Sequence, residues 1–192
     1  KWSSESTVNV HSSPPDVPTE LWITQRDLVI TADETSRFTA GANDSAGNRN
    51  YTWMREWEIT DPDAQLAVSG QYNETAVFHP HKAGIWTIRC NYSGGVVNGG
   101  RTVTKQITVR FGEVKSIIIE TFQNMVNVSA DNENLRITAT GYDLKGNVNN
   151  TWISTWSVND TDARLGPDPN DPANGQKRVF IPGNVGQWMI TC

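Results

Sequence analysis

Cysteine is scarce in this chain, and the two that occur, Cys90 and Cys192, lie far apart in the sequence. That excludes a small scaffold held by disulfides. Basic residues form no run beyond the pair Lys177-Arg178: 16 Lys and Arg are scattered against 21 Asp and Glu, for a net charge of -5, so no stripe could neutralise a run of phosphates. Nucleic acid is therefore not an expected partner. No apolar run approaches the ~20 residues that cross a bilayer, the longest lying around Ser116 to Ile119, so this fragment carries no membrane-spanning helix. Neither paired carboxylates in a cleft, a Ser-His-Asp set, a Gly-rich phosphate loop nor a metal triad is visible, and no enzyme is expected. The chain begins at Lys1 without Met or an apolar leader, which fits a mature secreted protein and equally a piece of a longer one.

What is abundant points elsewhere. Eight Trp supply apolar area in a chain that is only 36% hydrophobic, and turn formers are plentiful, with 15 Gly and 9 Pro beside abundant Asn. This mixture suits short strands between tight turns. Seven N-glycosylation sequons begin at Asn43, Asn50, Asn73, Asn91, Asn127, Asn149 and Asn159, where chance predicts about three. The enrichment points to a secreted, extracellular product carrying N-linked glycans, expected foremost on the turns at Asn50 and Asn149.

The most specific signal is an internal repeat. Ile30-Thr-Ala-Asp33 matches Val128-Ser-Ala-Asp131, and Arg37-Phe-Thr-Ala40 matches Arg136-Ile-Thr-Ala139. From there Asp44, Gly47, Asn48, Asn50, Trp53 and Trp57 meet Asp143, Gly146, Asn147, Asn149, Trp152 and Trp156. Past a loop longer in the second copy, Val77-Phe78, Pro80, Gly84, Trp86, Ile88 and Cys90 meet Val179-Phe180, Pro182, Gly186, Trp188, Ile190 and Cys192. Duplication of a domain of about 100 residues explains the match. Alternation with period two places Phe38, Ala40 and Ala42 on one strand, Trp53, Arg55, Trp57 and Ile59 on the next, and Trp86, Ile88 and Cys90 on a third, with one apolar face directed between two sheets. The expected fold is all-β: two tandem immunoglobulin-like β-sandwich domains at 19–112 and 113–192, after an extension at 1–18. A jelly roll is the alternative. The second copy contains no counterpart of the alternating run at 101–111, so it lacks its last strand within this chain.

The pattern of Thr-Ala, Asp, Gly-Asn and Trp, followed by Gly-x-Trp-x-Ile, resembles the bacterial and archaeal immunoglobulin-like (Big-type) repeats of surface-layer proteins, invasin-like adhesins and extracellular filaments. The resemblance covers roughly residues 19–192 and implies a cell-surface role without a reaction. One Cys per copy departs from the cysteine pair of antibody-type domains.

Several candidate sites follow. The segment around Val8 and Val10 alternates like a spare strand, and donating it to a neighbour's incomplete second domain would build a homopolymer of identical chains. The alternative is that the chain belongs to a longer multi-repeat protein. Asp160, Asp162, Asp168 and Asp171 cluster in the longer loop of the second copy as hard oxygen donors suited to calcium, the one cofactor considered; solvated turns compete with that reading. His79-Pro-His81 lacks an evident third metal ligand. The cysteines are expected to be buried free thiols. Trp2, Trp22, Tyr51 and Tyr72 are candidate sugar-stacking aromatics. The reading that results is a structural subunit of a filament or surface layer, with an adhesin or carbohydrate-binding module as the alternative.

Overall fold

The computed structural model describes residues 20–44, 46–49, 53–93, 102–121, 127, 134–152, 154–159 and 161–192. Every regular element among them is a β-strand. The chain divides into two compact units, one built around Glu34–Arg110 and including the first strand, the other around Phe111–Cys192 and including Thr31–Asp33. Val8 and Val10, and with them the proposed donor strand, lie outside the described residues, as do Asn50 and Asp160.

In the first unit eight strands run β1 (Glu20–Gln25), β2 (Val29–Thr31), β3 (Ser36–Asn43), β4 (Met54–Ile59), β5 (Gln65–Ser69), β6 (Thr75–His79), β7 (Gly84–Ser93) and β8 (Thr102–Arg110). They form two sheets, ordered β1-β3-β6-β5 and β2-β8-β7-β4. In immunoglobulin terms these are the A-B-E-D sheet and a C-F-G sheet extended by a short leading strand. The period-two pattern decides which side chains enter. Along β3, Phe38, Ala40 and Ala42 are buried, and they meet Phe78 of β6, Ile88 and Cys90 of β7 and Ile107 of β8 in the core.

One expectation is corrected here. The inward face of β4 is not wholly apolar, because Arg55 is only 2% exposed. Its Nη1 donates to the carbonyls of Trp53 at 2.7 Å and Tyr72 at 3.4 Å, and its guanidinium lies 5.3 Å over the Tyr92 ring. Aromatic faces and carbonyls replace the water this charge gives up.

The second unit repeats the scheme. Strands β9 (Ser116–Thr121), β10 (Leu135–Tyr142), β12 (Arg164–Pro167) and β13 (Lys177–Ile181) form a sheet ordered β12-β13-β10-β9, while β11 (Ser157–Val158) pairs with β14 (Ile190–Thr191). Leu135, Ile137 and Phe180 form its core, with Trp156, Val158, Leu165, Trp188 and Ile190 packed against them. Pairing registers coincide between copies: Ser36 faces Phe78 as Leu135 faces Phe180, and Glu58 faces Arg89 as Ser157 faces Thr191. Glu20 faces Asn43 as Ser116 faces Tyr142, which makes β9 the counterpart of β1.

The matched tryptophans have matched partners. The Trp57 indole donates to the Asn73 carbonyl at 2.7 Å and the Trp156 indole to the Gly175 carbonyl at 2.9 Å, which are equivalent positions. In each Gly-x-Trp motif the indole lies back across the glycine. A Cβ on Gly84 would stand 3.1 Å from Trp86, and one on Gly186 2.8 Å from Trp188, so a larger residue would lift the ring.

Candidate functional site

The D-x-x-G-N segment is the best-defined polar constellation. In both copies the aspartate is nearly buried and its carboxylate accepts the backbone N–H groups two and four residues on. Asp44 Oδ1 takes Ala46 and Asn48, both at 2.9 Å, and Asp143 Oδ1 takes Lys145 at 2.9 Å and Asn147 at 2.8 Å. Gly47 and Gly146 both sit at φ 81°, a conformation that glycine adopts without strain. Asp143 does more than shape its turn. Its Oδ2 accepts the Gly112 N–H at 2.8 Å, and Asn149 Nδ2 donates to the Gly112 carbonyl at 2.8 Å, so the two side chains grip both polar groups of one peptide residue. A Cβ on Gly112 would fall 1.9 Å from Asp33 Oδ2, so a larger residue there would push that exposed carboxylate aside. Burial opposes ionisation of Asp143. The Gly112 N–H and the amides of Asn147 and Lys145 outweigh it, and its pKa falls below 3.8.

This grip separates Asn149 from the other sequons. Asn149 is 7% exposed, its amide nitrogen is spent on Gly112, and its Oδ1 accepts both the N–H and hydroxyl of Thr151. A glycan linked through that nitrogen would displace Gly112. Asn127 and Asn159 are exposed. Asn43 and Asn91 are half-buried, their amides donating to Glu20 and Glu58 carboxylates at 3.1 and 3.4 Å. Asn73, at φ 56°, donates to the Arg55 carbonyl at 3.2 Å.

The described acidic residues of the longer loop, Asp162, Asp168 and Asp171, accept hydrogen bonds from protein groups. Lys177 Nζ donates to Asp171 Oδ2 at 2.9 Å, with the Asn174 amide at 3.2 Å on the same oxygen, and Lys177 foremost holds that carboxyl below its ordinary value. Asp168, 7% exposed, receives the Asn170 N–H at 2.9 Å, and the Asn170 amide oxygen accepts both terminal guanidinium nitrogens of Arg136. Asp162 is exposed and takes the Asn184 amide at 2.8 Å. Among the described residues no three acidic, His or Cys side chains converge as a metal site.

Cys90 is a fully buried free thiol, which burial pushes up to about 12, and Cys192 is a half-buried one. His79 is exposed and His81 half-buried. Trp22, a candidate sugar platform, is half-buried and packed by neighbours. It lies over Gly41, where a Cβ would stand 1.9 Å from its ring, and Arg49 sits 5.7 Å above its centroid. The most deeply buried carboxylate among the described residues is Asp61. It is 1% exposed and collects the N–H groups of Asp63 at 3.1 Å and of His81 and Lys82 at 3.3 Å, tying the β4–β5 turn to the β6–β7 turn.

No protein-family profile matches the chain, and no curated protein matches it. Solved structures do. The chain is similar to invasin, a bacterial integrin-binding protein, with a TM-score of 0.54 and 13% identity over 89% of this chain and 36% of invasin. It is also similar to the Escherichia coli adhesin FdeC, at 0.45 and 16% over 88% of this chain and 58% of that one. Domains 5-6 of the S-layer protein SbsC give 0.40 and 17% over 91% and 90%. The chain thus spans about a third of invasin. At these identities the likeness bears on the fold, and both units are immunoglobulin-like sandwiches.

Proposed function

We propose that this chain is a stretch of an extracellular cell-surface protein with a mechanical role, a structural subunit of a surface layer or filament. One observation carries this: two successive sandwiches repeat not only a fold but the same internal devices, the Asp-Gly-Asn turn, the indole-to-carbonyl bond and the glycine beneath a tryptophan. Such tandem modules serve as spacers whose stability accumulates repeat by repeat. The sequons support an extracellular location, with Asn127 and Asn159 the favoured acceptors on exposure. In this reading the Val8–Val10 segment adds as a strand to a neighbouring copy. An adhesin is the second reading, supported by the likeness to invasin.

The test is electron microscopy of the concentrated, purified chain beside Val8→Asp/Val10→Asp. Ordered sheets or fibres that the double variant abolishes are the expected result. Monodisperse particles that bind immobilised glycans or cells would replace this reading with the adhesin one.

A further inference from the structure

The two copies disagree at two interior positions, and the disagreements cancel. Arg55 of β4 has Ser154 as its counterpart, whereas fully buried Ala76 of β6 has Arg178 of β13. Both alternative positions point inward: Ala76 faces Phe38 across its strand pair, and Arg178 faces the core residue Ile137. The same acceptor is reached from either side. Arg55 Nη1 donates to the Tyr72 carbonyl at 3.4 Å, and Arg178 Nη1 donates at 3.4 Å to the carbonyl of Asn174, the equivalent of Tyr72. Each guanidinium also acts electrostatically on the equivalent cysteine. Burial raises both thiols, and Arg55 tempers that rise at Cys90 as Arg178 does at Cys192. From these coincidences we infer that each sandwich contains one internal guanidinium site, filled from β4 in the first copy and from β13 across the interior in the second, where it holds the carbonyl of the turn before the inner strand.

The inference also assigns the hollow of about 560 Å³ beside Arg178, lined by Trp152, Ser154, Asn174 and Gln176. A cation among amides and an indole resembles a receptor for an acidic sugar. In the first copy, however, the equivalent charge is enclosed by protein and performs the same carbonyl contact. Arg178 is accordingly a support of the fold.

The experiment is a pair of exchanges in the full chain, read by thermal unfolding and by hydrogen exchange at Ala40 and Ala139, whose N–H groups bond the Glu74 and Gln176 carbonyls at 2.9 Å. In the first unit, Arg55→Ser and Ala76→Arg should each lower the melting transition, one by emptying the site and the other by crowding two charges into it. Combined, they should recover about half or more of either loss, because coupled positions are not additive. The exchange Ser154→Arg with Arg178→Ala covers the case in which Ala76→Arg fails to fold; it should likewise melt higher than Arg178→Ala alone. Losses that simply add in both units would overturn the inference.

Discussion

Single side chains in this protein are judged by what they leave behind when removed. Asp61 is nearly sealed from solvent and receives three backbone N–H groups from two turns, so Asp61→Ala leaves three donors without their acceptor. The expected cost is ~2–4 kcal/mol, checked by urea unfolding, with Glu56→Ala on the exposed face of β4 near zero as the control. Cys90 gives a pH test. Its folded pKa, about 12, stands above the ordinary 9.0, so the stability it contributes is intact below pH 9 and is lost as pH rises towards 12. Native protein at pH 8.5 should leave Cys90 unmodified by iodoacetamide until urea unfolds the first unit, because only thiolate reacts.

At the scale of elements, the Asp-x-x-Gly-Asn turns join local backbone chemistry to the placement of a whole segment. Asp143 has a depressed pKa, so its contribution is complete above the unfolded value of about 3.8 and disappears as pH falls through the folded one. Acid unfolding of the second unit should therefore steepen below about pH 4. Asp143→Asn should flatten that dependence and expose the Gly112 amide to hydrogen exchange even at pH 7. Much of this layer was legible in the residues. Period-two alternation located β3, β4 and β7, because burial on one face is what the alternation encodes. The match of β1 to β9 was invisible: ELWITQ and SIIIET share one residue in place, and register alone relates them. Arg55 misled because a period assigns a direction and not a polarity. The grip on Gly112 was illegible because it joins residues 31 and 37 positions apart whose types also suit an ordinary turn.

For the molecule as a whole, the glycans and the assembly are the measurable claims. Mass spectrometry of native material should find Asn127 and Asn159 occupied and Asn149 bare. A glycan on Asn149 would mean that attachment precedes folding and that Gly112 is held some other way. Duplicated sandwiches in one chain carry a particular hazard: a strand of one copy has the length and pattern to insert into its sibling while both are still forming. The interior charge places a toll on that error. A first-copy β4 matched with a second-copy β13 would bury two guanidiniums against each other, and the reciprocal hybrid, Ser154 beside Ala76, would bury none and leave a carbonyl unanswered. Only strands from the same copy deliver a single charge, so moving one arginine across the interior marks each repeat as self, a discrimination by mismatch that similar neighbours otherwise lack.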